Sequence, residues 1–243
     1  MSRIICLQKP TILAALLLVL GLTASSARAD SVFLVNTTIG GTGAVNAKVT
    51  FQQTAPNVLQ ISLQNLQATS NVGQGISGIK FQICDANGNL LNFTGFISAQ
   101  NNTMIQVGGG GSITPLGVLA SGWGLSSSGP SFTLTALGFT GNGSNPPDEL
   151  ILGTLSGPNG SIAGNGPHNP FINQMGVFSL TLNGNLPAGW QITNVTVLFG
   201  TTADPAPAVA APVPEPATIL LLGTGLVGLA AGLRKRHRRN LRE

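Results

Sequence analysis

The sequence predicts an all-β protein, an antiparallel β-sandwich of jelly-roll or immunoglobulin-like kind. Three observations support this. No segment between about Asp30 and Thr202 shows a helical period, short runs there alternate apolar and polar residues, and clusters of Gly, Asn and Pro separate these runs. Period-two alternation with one polar face is typical of antiparallel strands covered on one side. The runs and breaks together predict about nine to eleven strands in two packed sheets.

Four runs show the alternation most clearly. They cover residues 59–63, 79–83, 132–134 and 178–182. Asn87-Gly88 lies between two such runs and is typical of a two-residue hairpin loop. The stretch from Gly157 to Pro170 is rich in Gly, Asn and Pro and long enough to form a mobile loop.

The N-terminal residues have the three parts of a secretory signal peptide. Arg3 and Lys9 precede an apolar run from Ile12 to Leu22. The small side chains of Ala27 and Ala29 suit signal peptidase, which predicts cleavage before Asp30. Residues 1–29 are therefore interpreted as a signal peptide, and 30–202 as the β-sandwich domain.

The C-terminal residues predict a stalk and a membrane anchor. Ala203–Pro216 contains five prolines in fourteen residues, a density that favours a semi-rigid polyproline II stalk. Ala217–Leu233 is seventeen residues without a charge, a short but sufficient transmembrane helix. The tail 234–243 follows at once. Its basic residues predict a stop that stays cytoplasmic while the body lies across the membrane: Arg234, Lys235, Arg236, Arg238 and Arg239.

The order of these C-terminal parts is distinctive. Val213, Pro214, Glu215 and Pro216 precede the apolar helix, and the Arg-rich tail follows it. This arrangement over residues 213–239 resembles the PEP-CTERM sorting signal of Gram-negative bacteria. The resemblance implies a substrate of an exosortase-type processing enzyme, anchored transiently in the inner membrane and processed near Pro214–Pro216. It also implies a final place at the cell surface or in the extracellular matrix, with exopolysaccharide as a further partner.

The exported body carries little charge. Between residues 30 and 216 two lysines stand against six acidic residues, a net charge of −4, and there is no arginine. The body thus lacks the usual groups that bind phosphate or nucleic acid. The basic tail directly follows a predicted membrane span, so no nucleic-acid partner is expected. Without the signal peptide, Cys84 is the one cysteine left, which excludes an internal disulfide and favours a buried thiol over an exposed one.

Candidate chemical motifs in the body are weak. Gly73–Gly78 fits G-x-G-x-x-G, yet it runs into a predicted strand and not a helix, which favours a glycine-rich turn. Asp85–Asn89 lacks the spacing of a calcium loop, and Asp148-Glu149 is typical of a solvated loop end, with a Ca²⁺ site as the alternative. A lone His168 without a neighbouring nucleophile motif is typical of a surface residue. No catalytic residue, metal or cofactor is predicted.

Two tryptophans leave a binding role open. Trp123 and Trp190 are candidate glycan contacts, although core or turn packing is the favoured interpretation. We therefore expect a non-enzymatic surface or biofilm matrix protein, with a carbohydrate-binding module as the alternative. A glycosidase would need two of Asp85, Asp148 and Glu149 to converge in space.

Overall fold

The computed structural model describes residues 30–137 and 148–211, which form two β-sheets around a shared core. This part of the chain contains three 3-10 turns and no α-helix. Its strands, in chain order, are β1 (Ser31–Ile39), β2 (Gly43–Ala55), β3 (Val58–Asn65), β4 (Ile76–Cys84), β5 (Gly95–Ala99), β6 (Asn101–Val107), β7 (Ile113–Ala120), β8 (Gly124–Ser128), β9 (Ser131–Thr135), β10 (Ile151–Leu152), β11 (Phe171–Asn173), β12 (Met175–Leu182), β13 (Gln191–Phe199), β14 (Asp204–Pro207) and β15 (Val209–Ala210). The 3-10 turns are Val72–Gln74, Gly109–Gly111 and Gly166–His168.

One sheet has six strands in the order β15-β1-β2-β3-β12-β5. The other has nine strands, of which seven follow the order β14-β13-β4-β10-β11-β6-β7. Strands β9 and β8 form a branch of this second sheet, since β9 pairs with β4 and β8 pairs with β9. Pairing is antiparallel except between β10 and β11. The predicted all-β fold with two packed sheets is confirmed, although several short strands raise the number above the nine to eleven expected.

Phenylalanine rings connect the two sheets through the core. Phe33 and Phe51 belong to the six-stranded sheet, and their centroids lie 5.8 Å apart. Phe51 also lies 5.1 Å from Phe81 of β4, which stacks on Phe132 of β9 at 5.2 Å. Aromatic pairs at these separations stabilise a core beyond their buried area alone. The four rings therefore form a continuous contact from one sheet to the other.

The alternating runs become the inner faces of the strands. In β3, Leu59, Ile61 and Leu63 are fully buried while the intervening residues are partly exposed. The predicted runs in β4, β9 and β12 are likewise buried at their apolar positions. These four strand predictions are confirmed.

The turn after β4 differs from the predicted two-residue loop. The N–H of Gly88 donates to the Asp85 carbonyl at 3.1 Å, and the N–H of Asp85 donates to the Asn89 carbonyl at 2.9 Å. Gly88 has φ +84°, which is the position that favours glycine in a three-residue loop with a bulge. Only a bridge between Cys84 and Leu90 follows, before the chain crosses to β5 in the other sheet. The loop is therefore one residue longer than predicted.

The long Gly157–Pro170 stretch is held in place by defined contacts. Ile162 is fully buried in a second apolar cluster with Val107 and Phe171. The N–H of Gly164 donates to the Val107 carbonyl at 3.2 Å, and that of Asn159 to the Ser70 carbonyl at 2.8 Å. A buried side chain and backbone hydrogen bonds fix a loop against its sheet. The structure thus differs from the expected mobile loop.

The proline-rich segment after Ala203 also differs from the prediction. Its first part is not a stalk but two strands of the sandwich, with β14 paired to β13 and β15 paired to β1. Ala206 is buried, opposite Val197 of β13. Proline lacks an N–H and is confined to edge strands, and β14 is an edge strand. The folded domain therefore extends from Ser31 to at least Ala210 instead of ending at Thr202.

Several predicted features lie outside the described residues. They are the signal peptide with Ala27 and Ala29, the last part of the proline-rich segment, the helix 217–233 and the basic tail 234–243. Within 30–137 and 148–211, no helix is long and apolar enough to cross a membrane.

Candidate functional site

Both ends of the described chain emerge at the same end of the sandwich. β15 runs antiparallel to β1, with Val209 opposite Leu34 and Ala210 opposite Phe33. The N–H of Ala211 then donates to the carbonyl of Val32 at 2.8 Å. Residue 211 therefore leaves the sheet beside the first residues of β1.

The quartet Val213–Pro216 follows almost directly on this contact. Val213 is two residues after Ala211, and an extended chain covers at most about 3.6 Å per residue. The quartet therefore begins within about 7 Å of the last backbone hydrogen bond of the sheet. Anything that acts on it must approach this end of the sandwich.

The ionisable groups of the body were the other candidates for a site. Asp85 lies in the turn after β4, where its carboxylate accepts hydrogen bonds from the N–H groups of Asn87 and Asn89, at 2.8 and 2.9 Å, and from the Asn89 side chain at 2.9 Å. These bonds, above all the one from the Asn89 side chain, lower the pKa of Asp85. The contacts identify Asp85 as the residue that closes its own turn.

Glu149 lies two residues before the first residue of β10. Its carboxylate accepts a hydrogen bond from the N–H of Gly122, and its backbone carbonyl accepts one from the indole N–H of Trp123 at 3.0 Å. Its φ of +58° is rare for a residue with a side chain. Burial raises its pKa above the ordinary value, the Gly122 N–H opposes that shift, and neighbouring Asp148 adds to it. Glu149 thus links β10 to the connection between β7 and β8.

The three carboxylates do not converge. Asp85 follows the last residue of β4, whereas Glu149 precedes β10, which pairs with Ile76 at the first residue of β4. At about 3.3 Å per residue, a nine-residue strand separates these ends by roughly 27 Å. A carboxylate pair that includes Asp85 is therefore not formed.

Asp148 is an ionisable neighbour of Glu149, and His168 acts in turn on Asp148. Burial raises the pKa of Asp148, and the charge of His168 acts in the opposite direction. His168 ends the 3-10 turn Gly166–His168. Across the described residues, no three His, Cys, Asp or Glu side chains lie close enough together to hold a metal ion.

Replacing Glu149 by Gln is expected to reduce the pH dependence of stability. Because the folded-state pKa of Glu149 lies above its ordinary 4.5, the folded protein binds more protons than the unfolded chain between these two values. The free energy of unfolding then falls as pH rises through that interval, and a neutral glutamine removes this fall. Denaturant titrations of residues 30–211 between about pH 4 and 7 measure the slope.

Asp85→Asn is the matched control, with the opposite sign. The pKa of Asp85 is lowered, so its contribution is present above its ordinary 3.8 and is lost as pH falls below it. Its replacement should leave the slope above about pH 5 unchanged. If the free energy of unfolding of the Glu149→Gln protein changes with pH as in the wild type, the raised pKa is wrongly assigned to Glu149.

Both tryptophans are buried. Trp123 is 2% exposed, and its ring lies 4.7 Å from that of Phe178. Trp190 is 1% exposed, and its indole N–H donates to the Gln53 side chain at 2.9 Å. A ring must expose one face to stack on a sugar, so in this structure neither tryptophan offers a glycan platform. Both tryptophans pack in the core, in line with the core or turn packing that the sequence favoured.

The remaining small motifs have structural explanations. Cys84 is buried at the end of β4, where its thiol donates to the Gln191 carbonyl at 3.7 Å. The glycine-rich sequence Gly73–Gly78 leads into β4, as predicted. At Gly78 a Cβ would lie 2.9 Å from the Leu134 carbonyl oxygen, so this glycine permits the close approach of β9.

The outer face of the six-stranded sheet is a surface that single motifs did not predict. Hydroxyl and amide side chains stand opposite one another across β2, β3 and β12. The aligned positions are Thr50 with Ser62, Gln52 with Gln60, and Gln60 with Ser179. Residues 50 and 52 of β2 and residues 60 and 62 of β3 alternate along their strands with buried residues. The polar positions of the alternating runs indicate such a surface in the sequence. The register that places these side chains opposite one another depends on how the strands pair in the sheet.

Comparison with known proteins identifies one segment. The family model described as PEP-CTERM protein-sorting motif matches residues 212–236. Comparisons with curated proteins and with solved structures gave no match. The match covers the quartet Val213–Pro216, the apolar segment and the first basic residues, as the resemblance from sequence implied. The chain therefore carries a PEP-CTERM protein-sorting motif at residues 212–236, directly after the last strand of its β-sandwich.

Proposed function

We propose that this chain is an exported, non-enzymatic protein of the cell surface or of an exopolysaccharide or biofilm matrix, delivered by an exosortase-type system. The observation that carries the proposal is the sorting motif at residues 212–236, joined without a spacer to a β-sandwich. A sorting motif is an address, so the sandwich is its cargo. Residues 30–211 are then the part that is exported and works outside the cell.

The chain ends support this arrangement. Residue 30 and residue 211 emerge side by side, so a signal peptide before the sandwich and an anchor after it reach the membrane from the same end. The anchor is the apolar segment 217–233, and the basic tail from Arg234 stays on the cytoplasmic side of the inner membrane. The opposite end of the sandwich faces away from the membrane until processing releases it.

A non-enzymatic role accords with how the ionisable groups of the body are used. Asp85 closes its own turn, Glu149 links β10 to Gly122, and the Cys84 thiol is buried. Each of these groups holds backbone in place. The outer face of the six-stranded sheet presents amides and hydroxyls together with exposed apolar side chains such as Leu34 and Met175, and its one charge is Lys48.

Replacing Glu215 by Ala is expected to block maturation. The change leaves the apolar segment and the basic tail intact, so the chain should still be exported and inserted. An enzyme that reads the motif should fail to process it, and the full-length form should accumulate in the inner membrane. Immunoblots of inner-membrane, outer-membrane and culture fractions measure the ratio of anchored to released protein.

Asp204→Ala is the control for this experiment. Asp204 is also acidic and only eleven residues earlier, but it belongs to β14 and lies outside the sorting motif. This variant should mature like the wild type. If Glu215→Ala reaches the surface as efficiently as Asp204→Ala, an exosortase-type route is excluded for this chain.

A carbohydrate-binding module is the alternative, and the outer face of the six-stranded sheet favours it. Uncharged hydroxyl and amide groups such as Thr50, Gln60 and Ser179 match the hydrogen-bonding chemistry of a neutral polysaccharide. The binding surface would then be this face, and not the buried Trp123 and Trp190. Retention of residues 30–211 on an insoluble neutral polysaccharide distinguishes this alternative from a purely structural role.

A further inference from the structure

Strand β7 has an unusual surface for an edge strand. It ends the nine-stranded sheet and pairs only with β6 among the described strands. All eight of its residues are exposed, including Ile113, Leu116, Val118 and Leu119. Side chains of a strand alternate between two faces, so neither face of β7 is covered. Large apolar residues on both faces, beside a free backbone edge, are typical of a strand that pairs with another chain.

Two other sheet edges, β14 and β15, are more strongly protected than β7, and the edge strands β5 and β8 lie against each other. β14 contains Pro205 and Pro207 in four residues, and β15 is two residues long. Natural edges are also blunted by charged side chains, above all lysine. No charged residue occurs between Asp85 and Asp148, a stretch that includes the whole β6–β7 hairpin. This edge therefore lacks the charge that usually opposes pairing.

The second half of β7 is the part that can pair with a further strand. Pro115 has no N–H to donate, and the register with β6 shifts between Met104 and Ile105, which leaves Leu116 as a bulge. Residues 117–120 follow without a proline or a further shift. Val118, at the centre of this part, is 66% exposed.

The segments of this chain outside the described residues are poor candidates for covering β7. Residues 212–243 begin beside Val32 in the other sheet and carry the sorting motif. Residues 1–29 precede the same end of the sandwich. Residues 138–147 contain three glycines and two adjacent prolines, a composition depleted in strands.

We propose that β7 pairs antiparallel with β7 of a second copy of this chain. A two-fold axis at Val118 places Val118 of one copy opposite Val118 of the other and Gly117 opposite Leu119, so one surface serves both partners. Because the hairpin is uncharged, the two copies meet without repulsion. The nine-stranded sheet then continues from one copy into the next. The pairing run is short, so the dimer is favoured where the protein is concentrated, as at a surface.

Cysteine crosslinking in the full-length chain tests this proposal. Val118→Cys introduces a thiol at the centre of the contact, and Val209→Cys introduces one on β15, where the side chain is 73% exposed. Cells that express either variant are treated with a short bis-maleimide and analysed by immunoblot. We expect several-fold more product of twice the monomer mass from Val118→Cys than from Val209→Cys. Cys84 is buried and common to both variants.

A second substitution separates pairing from chance collision. Leu119→Lys, added to Val118→Cys, places a positive charge from each copy in the contact and should abolish the dimer. Leu119 is exposed, so the fold should persist, and a monofunctional maleimide should still label the introduced thiol. Equal dimer yields from Val118→Cys and Val209→Cys, no dimer from either, or a Val118→Cys adduct of another mass would overturn the proposal.

Discussion

Replacing Asn65 by Leu is expected to lower the free energy of unfolding by about 3 kcal/mol or more. Asn65 is 3% exposed, and its side-chain amide donates to the carbonyls of Gln74 and Ile151 at 2.9 and 2.8 Å. Its side-chain oxygen accepts from the N–H of Gln67 at 3.0 Å. Leucine is close to asparagine in size but removes all three hydrogen bonds, two of them buried, at about 1–3 kcal/mol for each buried partner that loses its bond. Urea denaturation of residues 30–211 measures the loss.

Asn36→Leu is the matched control for the same change of residue type. Asn36 is exposed on β1, where a substitution usually changes stability by less than about 0.5 kcal/mol. If both leucine variants unfold at the same urea concentration, the hydrogen bonds of Asn65 do not hold the two sheets together.

Asn65 also shows what sequence patterns miss. It ends β3 of the six-stranded sheet, yet its partners Gln74 and Ile151 lie before β4 and in β10 of the other sheet. In the sequence it continues the alternating run at a position where the run predicts an apolar residue. A polar residue at a buried position becomes interpretable only when its partners, nine and 86 residues away, are known.

The longer strands could be predicted because one face of each is buried. Burial on one face requires period two, and period two is visible in β3 and β12. β10 and β11 have two and three residues, which is too short for any alternation. Their pairing depends on distant strands, so the parallel pair they form was not predictable from local sequence.

The proline-rich segment was misinterpreted for a related physical reason. Alternating Ala and Pro in residues 205–208 favours an extended backbone, and an extended backbone is common to polyproline II and to an edge strand. The sequence does not show that β13 and β1 offer free edges to this segment. Only the sheet order reveals that Ala206 has a buried place opposite Val197.

The functional motif was predictable because it does not depend on the fold. Val213–Pro216, the apolar segment and the basic tail are contiguous, so the sequence alone identifies them. Trp123 and Trp190 are the opposite case. Their use depends on whether the rings lie inside or outside the sandwich, and both lie inside.

A fragment that ends at Thr202 is expected to be much less stable than one that ends at Ala211. The shorter fragment lacks β14 and β15, so β13 and β1 lose their neighbouring strands and the buried Val197 and Phe33 lose part of their cover. Exposing roughly 120 Å² of apolar core costs about 3 kcal/mol, before the lost hydrogen bonds are considered. In a domain of this length this corresponds to a fall in Tm of roughly 6–12 °C, measurable by circular dichroism.

An intermediate fragment that ends at Ala208 gives this experiment its control. It keeps β14 with Ala206 and removes only β15, so its Tm should lie between those of the other two fragments. If the Tm rises from the fragment that ends at Thr202 to those that end at Ala208 and Ala211, the folded sandwich continues to within a few residues of the sorting motif. Equal melting temperatures for all three fragments would instead mean that the sandwich does not need these strands, and that residues 203–211 are available as the spacer their composition first indicated.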